Sequence, residues 1–135
     1  MADEKKEFRV EIICPDRVFY TGNATMIELN TVEGEVGIFR GHIPVTTIIA
    51  PGYVVISNDA QKKEALIHSG FVEILPDKVS ILAEVAEWPE EIDLGRAQAA
   101  KERAEKRLEE RMENLDVARA ELALRRALLR LDAKK

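Results

Sequence analysis

Ile92-Asp93-Leu94-Gly95-Arg96-Ala97 divides the chain into two kinds of sequence. All five prolines lie before it, the last at Pro89, and so do all the aromatic residues, the last being Trp88. After it come Ala, Leu, Glu, Arg and Lys, with almost no β-branched residue. Asp93 is a good helix N-cap, because its carboxylate can accept a bond from a free amide of the first turn. A capping box would place Glu or Gln three residues on; here that position is Arg96. A cation there opposes the helix dipole, at a cost of a few tenths to about 1 kcal/mol. Two readings follow. Arg96 is solvated or paired with Glu90 or Glu91, or it joins the helix N-terminus in an anion site.

Outward from this boundary, the N-terminal side reads as β-structure. Phe8, Val10 and Ile12 alternate with Arg9 and Glu11, which predicts a strand from Phe8 to Cys14. Further strands are expected at Val18–Tyr20, Ala24–Thr31, Val45–Ile49, Tyr53–Ser57, Ala65–His68, Phe71–Leu75 and Val79–Glu84. Pro15-Asp16, Gly22-Asn23, Glu33-Gly34-Glu35, Pro51-Gly52, Asn58–Lys63, Gly70 and Pro76-Asp77-Lys78 are the expected turns or interruptions. Short strands so closely spaced predict an antiparallel sandwich or barrel. Glu87–Glu91, with Trp88-Pro89 inside, reads as the linker.

On the C-terminal side the period becomes helical. Leu94, Ala97, Ala104, Leu108 and Met112 share one face; Val117, Ala120, Leu124, Ala127, Leu128 and Leu131 share another. Asn114 and Asp116 punctuate between them. The fold class is therefore α+β: a β-sandwich over residues 1–88, then an antiparallel two-helix hairpin over residues 89–135. The thin, alanine-rich faces make that hairpin marginal by itself.

At 100° per residue, Arg96, Arg103 and Arg107 form a stripe on the first helix, and Arg119, Arg126 and Arg130 one on the second. Antiparallel packing would bring Arg126 and Arg130 towards Arg96 and Arg103. Polyphosphate suits such a cluster, since guanidinium groups bind phosphate through paired hydrogen bonds. The plain alternative is that Glu102, Glu105, Glu109 and Glu121 pair with these arginines on solvated faces.

Composition excludes several classes. The chain has 135 residues and a formal net charge of −5, with no basic patch of the kind nucleic acid requires. No apolar run approaches a bilayer span, and the charged start, Met1–Lys6, is not a signal peptide. The single cysteine, Cys14, reads as a small buried hydrophobe; with two distant histidines it offers no metal-ligand spacing. His42 stands in a glycine-rich loop with no nucleophile or paired carboxylate, so an interface or structural role fits better than catalysis.

Two motifs carry a resemblance over nearly the whole chain. Gly34-Glu35-Val36-Gly37-Ile38-Phe39-Arg40-Gly41-His42-Ile43-Pro44 is similar to the glycine-histidine loop of the epsilon subunits of bacterial F-type ATP synthase. Ile92-Asp93-Leu94-Gly95-Arg96-Ala97 resembles that family's I/L-D-x-x-R-A motif. The resemblance implies a ten-stranded sandwich in the rotor, docked on the gamma subunit and the c-ring, with Glu35 and His42 towards the c-ring. It implies a hairpin that switches between compact and extended forms. Extended, it meets the alpha and beta subunits of the head through basic residues Arg119, Arg125, Arg126 and Arg130 and blocks ATP hydrolysis. It also implies ATP as a regulatory ligand of the compact form, with or without Mg²⁺. Glu87, Ile92, Asp93 and Ala97 would line the adenine side, and Arg96, Arg103, Arg126 and Arg130 would face the phosphates. Gly95, a poor helix former, would loosen the first turn. No catalytic residue, metal site or catalytic cofactor is implied. The chain would be a peripheral protein on the cytoplasmic face of the bacterial plasma membrane, attached only through the complex. The competing expectations are a free-standing binding module that dimerises through Leu124, Leu128 and Leu131, and a nucleotide-acting enzyme; the absence of nucleophile–base pairs argues against the enzyme.

Overall fold

The structure, a computed structural model, describes residues 6–110 and 116–133. The chain forms two compact units, Met1–Glu87 and Trp88–Lys135. The first holds eight strands among the described residues: β1 (Phe8–Ile13), β2 (Val18–Ala24), β3 (Met26–Thr31), β4 (Gly34–Ile38), β5 (Val45–Ile49), β6 (Gly52–Ser57), β7 (Lys62–Ile74) and β8 (Lys78–Glu87). They pair in the order β2-β1-β8-β7-β5-β3-β4, and β6 bonds to both β3 and β7. The pairings β3–β6–β7–β5–β3 thus return on themselves. Alternation places Phe8, Val10 and Ile12 in the core together with Ile27, Leu29, Val72, Ile74, Val79 and Ile81.

Three features differ from the sequence expectation. Gly70 does not interrupt a strand: β7 runs unbroken from Lys62 to Ile74, and its register against β8 shifts between Ile67 and Gly70. Gly70 has φ +147°, and a Cβ there would lie 2.0 Å from the Leu82 carbonyl oxygen. The glycine therefore permits a bulge and a close backbone approach rather than a turn. Because β7 and β8 each run through as one strand, eight strands stand where the resemblance implied ten. The glycine-rich stretch is also not all loop. Residues Gly34–Ile38 form β4, paired antiparallel with β3, and only the part from Phe39 to Pro44 is irregular, with Gly41 at φ +87°. Finally, β1 pairs parallel with β8, Val10 opposite Val79. Parallel neighbours need a long connection, and here the whole intervening sandwich supplies it.

The second unit begins with a 3₁₀ turn, Pro89–Glu91, where a plain linker was expected. The Trp88 amide donates to the Glu91 carboxylate at 3.0 Å. Helices α1 (Leu94–Glu110) and α2 (Val117–Ala133) follow. Asp93 caps α1, accepting from the Arg96 amide at 3.2 Å, and Asp116 caps α2, accepting from the Arg119 amide at 3.0 Å. Gly95 is the second residue of α1 rather than an interior one. The fully buried positions of the two helices are all alanine: Ala97 and Ala104 on α1, Ala120 and Ala127 on α2. Leu94, Val117 and Leu128, expected on the apolar faces, are exposed, while Leu108, Leu124 and Leu131 are half-buried. Met112 and Asn114 lie outside the described residues.

Candidate functional site

On the first unit, one row of side chains crosses five strands on the outer face. Ile48 pairs with Phe71, Phe71 with Leu82, Leu82 with Ile13, and Ile13 with Val18. Directly paired residues share a face, so these five apolar side chains form one stripe. Ile48 is 60% exposed, Val18 62%, Phe71 44% and Leu82 38%. The neighbouring row on the same face is polar: Thr46 opposite Glu73, Glu73 opposite Ser80, and Ser80 opposite Glu11. Beside the stripe a cavity of about 340 Å³ is lined by Cys14, Pro15, Gly70, Ala83 and Glu84 as well as Ile13, Phe71 and Leu82. An apolar core with a polar rim and an adjoining pocket is the anatomy of a protein-docking surface.

Period-two reading of the strands missed this stripe. The signal was present in four adjacent apolar pairs: Ile12-Ile13, Ile48-Ile49, Phe71-Val72 and Ile81-Leu82. In each pair one member is buried in the core, and the other faces outward. A strand apolar on both faces presents an outward surface suited to docking.

Cys14 is buried, as expected for a small hydrophobe. Burial first, and Asp16 next, push its thiol up, while the Ala86 backbone and Arg17 pull the other way. Such a thiol is a poor nucleophile. Among the described residues no cluster of three or more His, Cys, Asp or Glu could hold a metal ion.

The glycine-histidine stretch lies at the β4 end of the sheet. Glu35 is exposed on β4. His42 is half-buried in the following loop, and its Nδ1–H donates to the Ile43 carbonyl oxygen at 2.7 Å. Phe39 and Ile43 stand exposed beside it. This is a surface of mixed apolar and polar character with no catalytic grouping.

Glu87 ends β8, and its Oε1 accepts a hydrogen bond from His68 Nε2–H at 2.7 Å. His68 is wholly buried, at 0% exposure. Sequence reasoning took His68 only as the end of a strand. The run Ala65-Leu66-Ile67-His68 is buried at every position, and the register of β7 against β8 shifts at His68.

In the second unit Ile92 and Ala97 are buried, and Asp93 is exposed. Arg96, Arg103, Arg119 and Arg125 are exposed, whereas Arg126 and Arg130 are half-buried. The start of α1 lies beside the end of α2: Gln98 and Lys101 line a groove of about 580 Å³ with Leu128, Leu131 and Asp132. The hairpin is therefore antiparallel, and Arg96 and Arg130 belong to the same end of it. Among the described residues the groove itself is lined by Lys101 and Asp132 and by none of the arginines. On α1, Glu105 meets Lys101 at 3.7 Å and Glu102 accepts from Gln98 at 3.2 Å.

A repeat also becomes visible. Asp93-Leu94-Gly95-Arg96-Ala97 is matched by Asp116-Val117-Ala118-Arg119-Ala120. In both, the aspartate caps, the alanine is buried and the arginine is exposed. The first and last positions of this motif thus have a structural account common to both helices. Local capping rules leave the exposed arginine unexplained.

Residues 7–89 match the family described as ATP synthase, Delta/Epsilon chain, beta-sandwich domain, and residues 90–135 match its long alpha-helix domain. The chain belongs to the delta/epsilon chain family of ATP synthase. The ATP synthase epsilon chain of Caldanaerobacter subterraneus subsp. tengcongensis is 50% identical over 127 residues, covering 93% of this chain and 92% of that one. That of Halalkalibacterium halodurans is 48% identical over 124 residues, covering 91% and 93%. Within its family the chain is of the epsilon type, a non-catalytic component of the rotor stalk and not itself an enzyme. Solved structures share the fold. A chain of the Euglena gracilis mitochondrial ATP synthase (OSCP/F1/c-ring, rotational state 1) superposes with a TM-score of 0.78 at 23% identity, over 94% of this chain and 80% of that one. One from the Tetrahymena thermophila mitochondrial ATP synthase central stalk and c-ring gives 0.64 at 17% identity, over 95% and 96%.

Proposed function

We propose that the apolar stripe Ile48–Phe71–Leu82–Ile13–Val18 is the surface by which this subunit docks on the gamma subunit. That stripe is the observation that carries the reading, because a five-strand apolar row is costly to leave in water. Strand β4, which carries Glu35, and the following loop, which carries His42 with exposed Phe39 and Ile43 beside it, contact the c-ring. So attached, the subunit is peripheral, on the cytoplasmic face of the membrane. No helix among the described residues is long and apolar enough to cross a membrane.

The helical unit acts as a regulatory arm. Its fully buried seam is no more than four alanine methyls, Ala97, Ala104, Ala120 and Ala127. A seam this thin leaves the compact hairpin open to bias by a ligand or a partner. ATP is the ligand, held at its phosphates by Arg96, Arg103, Arg126 and Arg130 and at its base by Glu87, Ile92, Asp93 and Ala97. Released, the arm reaches the alpha and beta subunits through Arg119, Arg125, Arg126 and Arg130 and stops ATP hydrolysis. A ligand shifts such an equilibrium only by its differential affinity, so ATP must bind the compact form more tightly than the extended one.

Calorimetric titration of ATP into the isolated chain tests the sensor. Saturable binding should weaken by about tenfold or more in an Arg126→Ala/Arg130→Ala double variant, the scale of losing one or two charge-assisted hydrogen bonds. Equal binding by both proteins, or none by either, would remove ATP from the reading and leave the docking surface standing.

A further inference from the structure

The last two residues of β8 are tied from two directions within the first unit. The Arg17 guanidinium donates a long hydrogen bond, 3.5 Å, to the Ala86 carbonyl oxygen. His68 Nε2–H donates to Glu87 Oε1 at 2.7 Å. These ties come from the β1–β2 turn and the bulge of β7. Immediately beyond Glu87 the chain leaves the sandwich at Trp88-Pro89.

The His68 contact is unusual in what it costs. A carboxylate can only accept, so Nε2 carries the proton in this bond. The other ring nitrogen, Nδ1, is buried with no hydrogen-bond partner among the described residues. Burying a polar atom unpaired is unfavourable, and an apolar residue would fill the same space without that penalty. The bulge at Ile67–Gly70 is itself a departure from regular pairing, and His68 lies within it. A strained strand and an unpaired ring nitrogen are both tolerated where the other end of the ring meets Glu87.

We infer that the His68–Glu87 hydrogen bond is a latch that fixes the point at which the chain leaves the sandwich, with His68 the positioning residue. With Glu87 held, the strand is ordered to its final residue, and any reorientation of the helical unit is confined to the short segment from Trp88 to the Asp93 cap. With Glu87 released, β8 frays from its end and the flexible connection lengthens. The regulatory meaning of the latch rests on the moving-arm reading above. The latch itself does not.

Amide hydrogen exchange on the full chain, without nucleotide, separates the two. In His68→Leu and in Glu87→Ala, exchange at Ala86 and Glu87 and at the facing Leu66 and Ile67 should quicken by about tenfold or more, the scale of one hydrogen bond to a charged group. Amides of the Val79–Ile74 and Ile81–Val72 pairs should keep their protection. Glu87→Gln should stay near the parent, because its amide oxygen still accepts from Nε2–H. Unchanged exchange at the strand end would overturn the latch. So would a uniform rise at every amide, which would make His68 a core residue and nothing more. Should His68→Leu fail to fold, Glu87→Ala carries the same comparison. A latch intact in this assay beside an ATP titration that shows no binding would retire the sensor and keep the latch.

Discussion

A Phe71→Glu chain is expected to fold and to lose its place in the stalk. Phe71 lies at the middle of the outward stripe, paired with Ile48 on one side and Leu82 on the other. It also lines the 340 Å³ cavity. At 44% exposure its ring contributes to the sandwich core only in part, and Val72, its neighbour in sequence, is the residue buried there. Replacing it by a carboxylate places a charge at the centre of a surface that must be desolvated on docking. Central aromatic residues of an interface typically account for 2 kcal/mol or more, which corresponds to at least a roughly 30-fold loss of affinity. The measurement is binding of the variant to a gamma-containing subcomplex, with circular dichroism and thermal unfolding as the folding control. Binding at parental strength by a folded Phe71→Glu chain would place the docking surface elsewhere.

Gly70→Ala should damage the sandwich itself. Its Cβ would stand 2.0 Å from the Leu82 carbonyl oxygen and 2.8 Å from the Ala83 Cα, and both are backbone. No side chain can swing aside to relieve the clash. The conformation at φ +147° is one that L-residues rarely adopt, which adds strain of order 1–3 kcal/mol. Together the clash and the strain should cost about 3 kcal/mol or more, lowering the midpoint of thermal unfolding by roughly 12 °C or more in a unit of this size. The helical unit's caps and alanine seam lie outside the affected strands, so its helical signal should survive as a separate contribution. A midpoint within a few degrees of the parent would mean that β7 and β8 can separate at the bulge without loss.

What could be read in advance was local. Asp93 and Asp116 act on amides three residues away, so their capping is written within a single turn. The alternation of Phe8, Val10 and Ile12 is likewise contained in one strand. Three other features depend on partners distant in sequence. Gly70 looks like a turn until the Leu82 carbonyl oxygen is placed against it. Phe71 and Leu82 look like core until their pairing shows them on the outer face. The parallel partnership of β1 and β8 has no local signature at all. The arginines fall between these cases. Helical periodicity assigns Arg96 and Arg103 to one side of α1 and Arg126 and Arg130 to one side of α2. It does not say that the groove beside them is lined by Lys101 and Asp132 instead. Leu94, Val117 and Leu128 were misassigned because a wheel drawn for one helix cannot show how narrow an alanine seam its neighbour leaves.

The pairing of the first strand with the last has a consequence for biosynthesis. β1 has β2 beside it as soon as the hairpin emerges, but its other edge stays open until Lys78–Leu82 have been made. Contacts that span most of a domain raise its contact order and slow its closure. An open edge carrying Val10 and Ile12 is meanwhile a site for pairing with other chains. The helical unit, built from contacts within and between two adjacent helices, has no such delay. Arrested nascent chains of increasing length, probed by protease, should therefore show protection of the Phe8–Ile13 strand appearing late and in one step, once β8 is free of the ribosome.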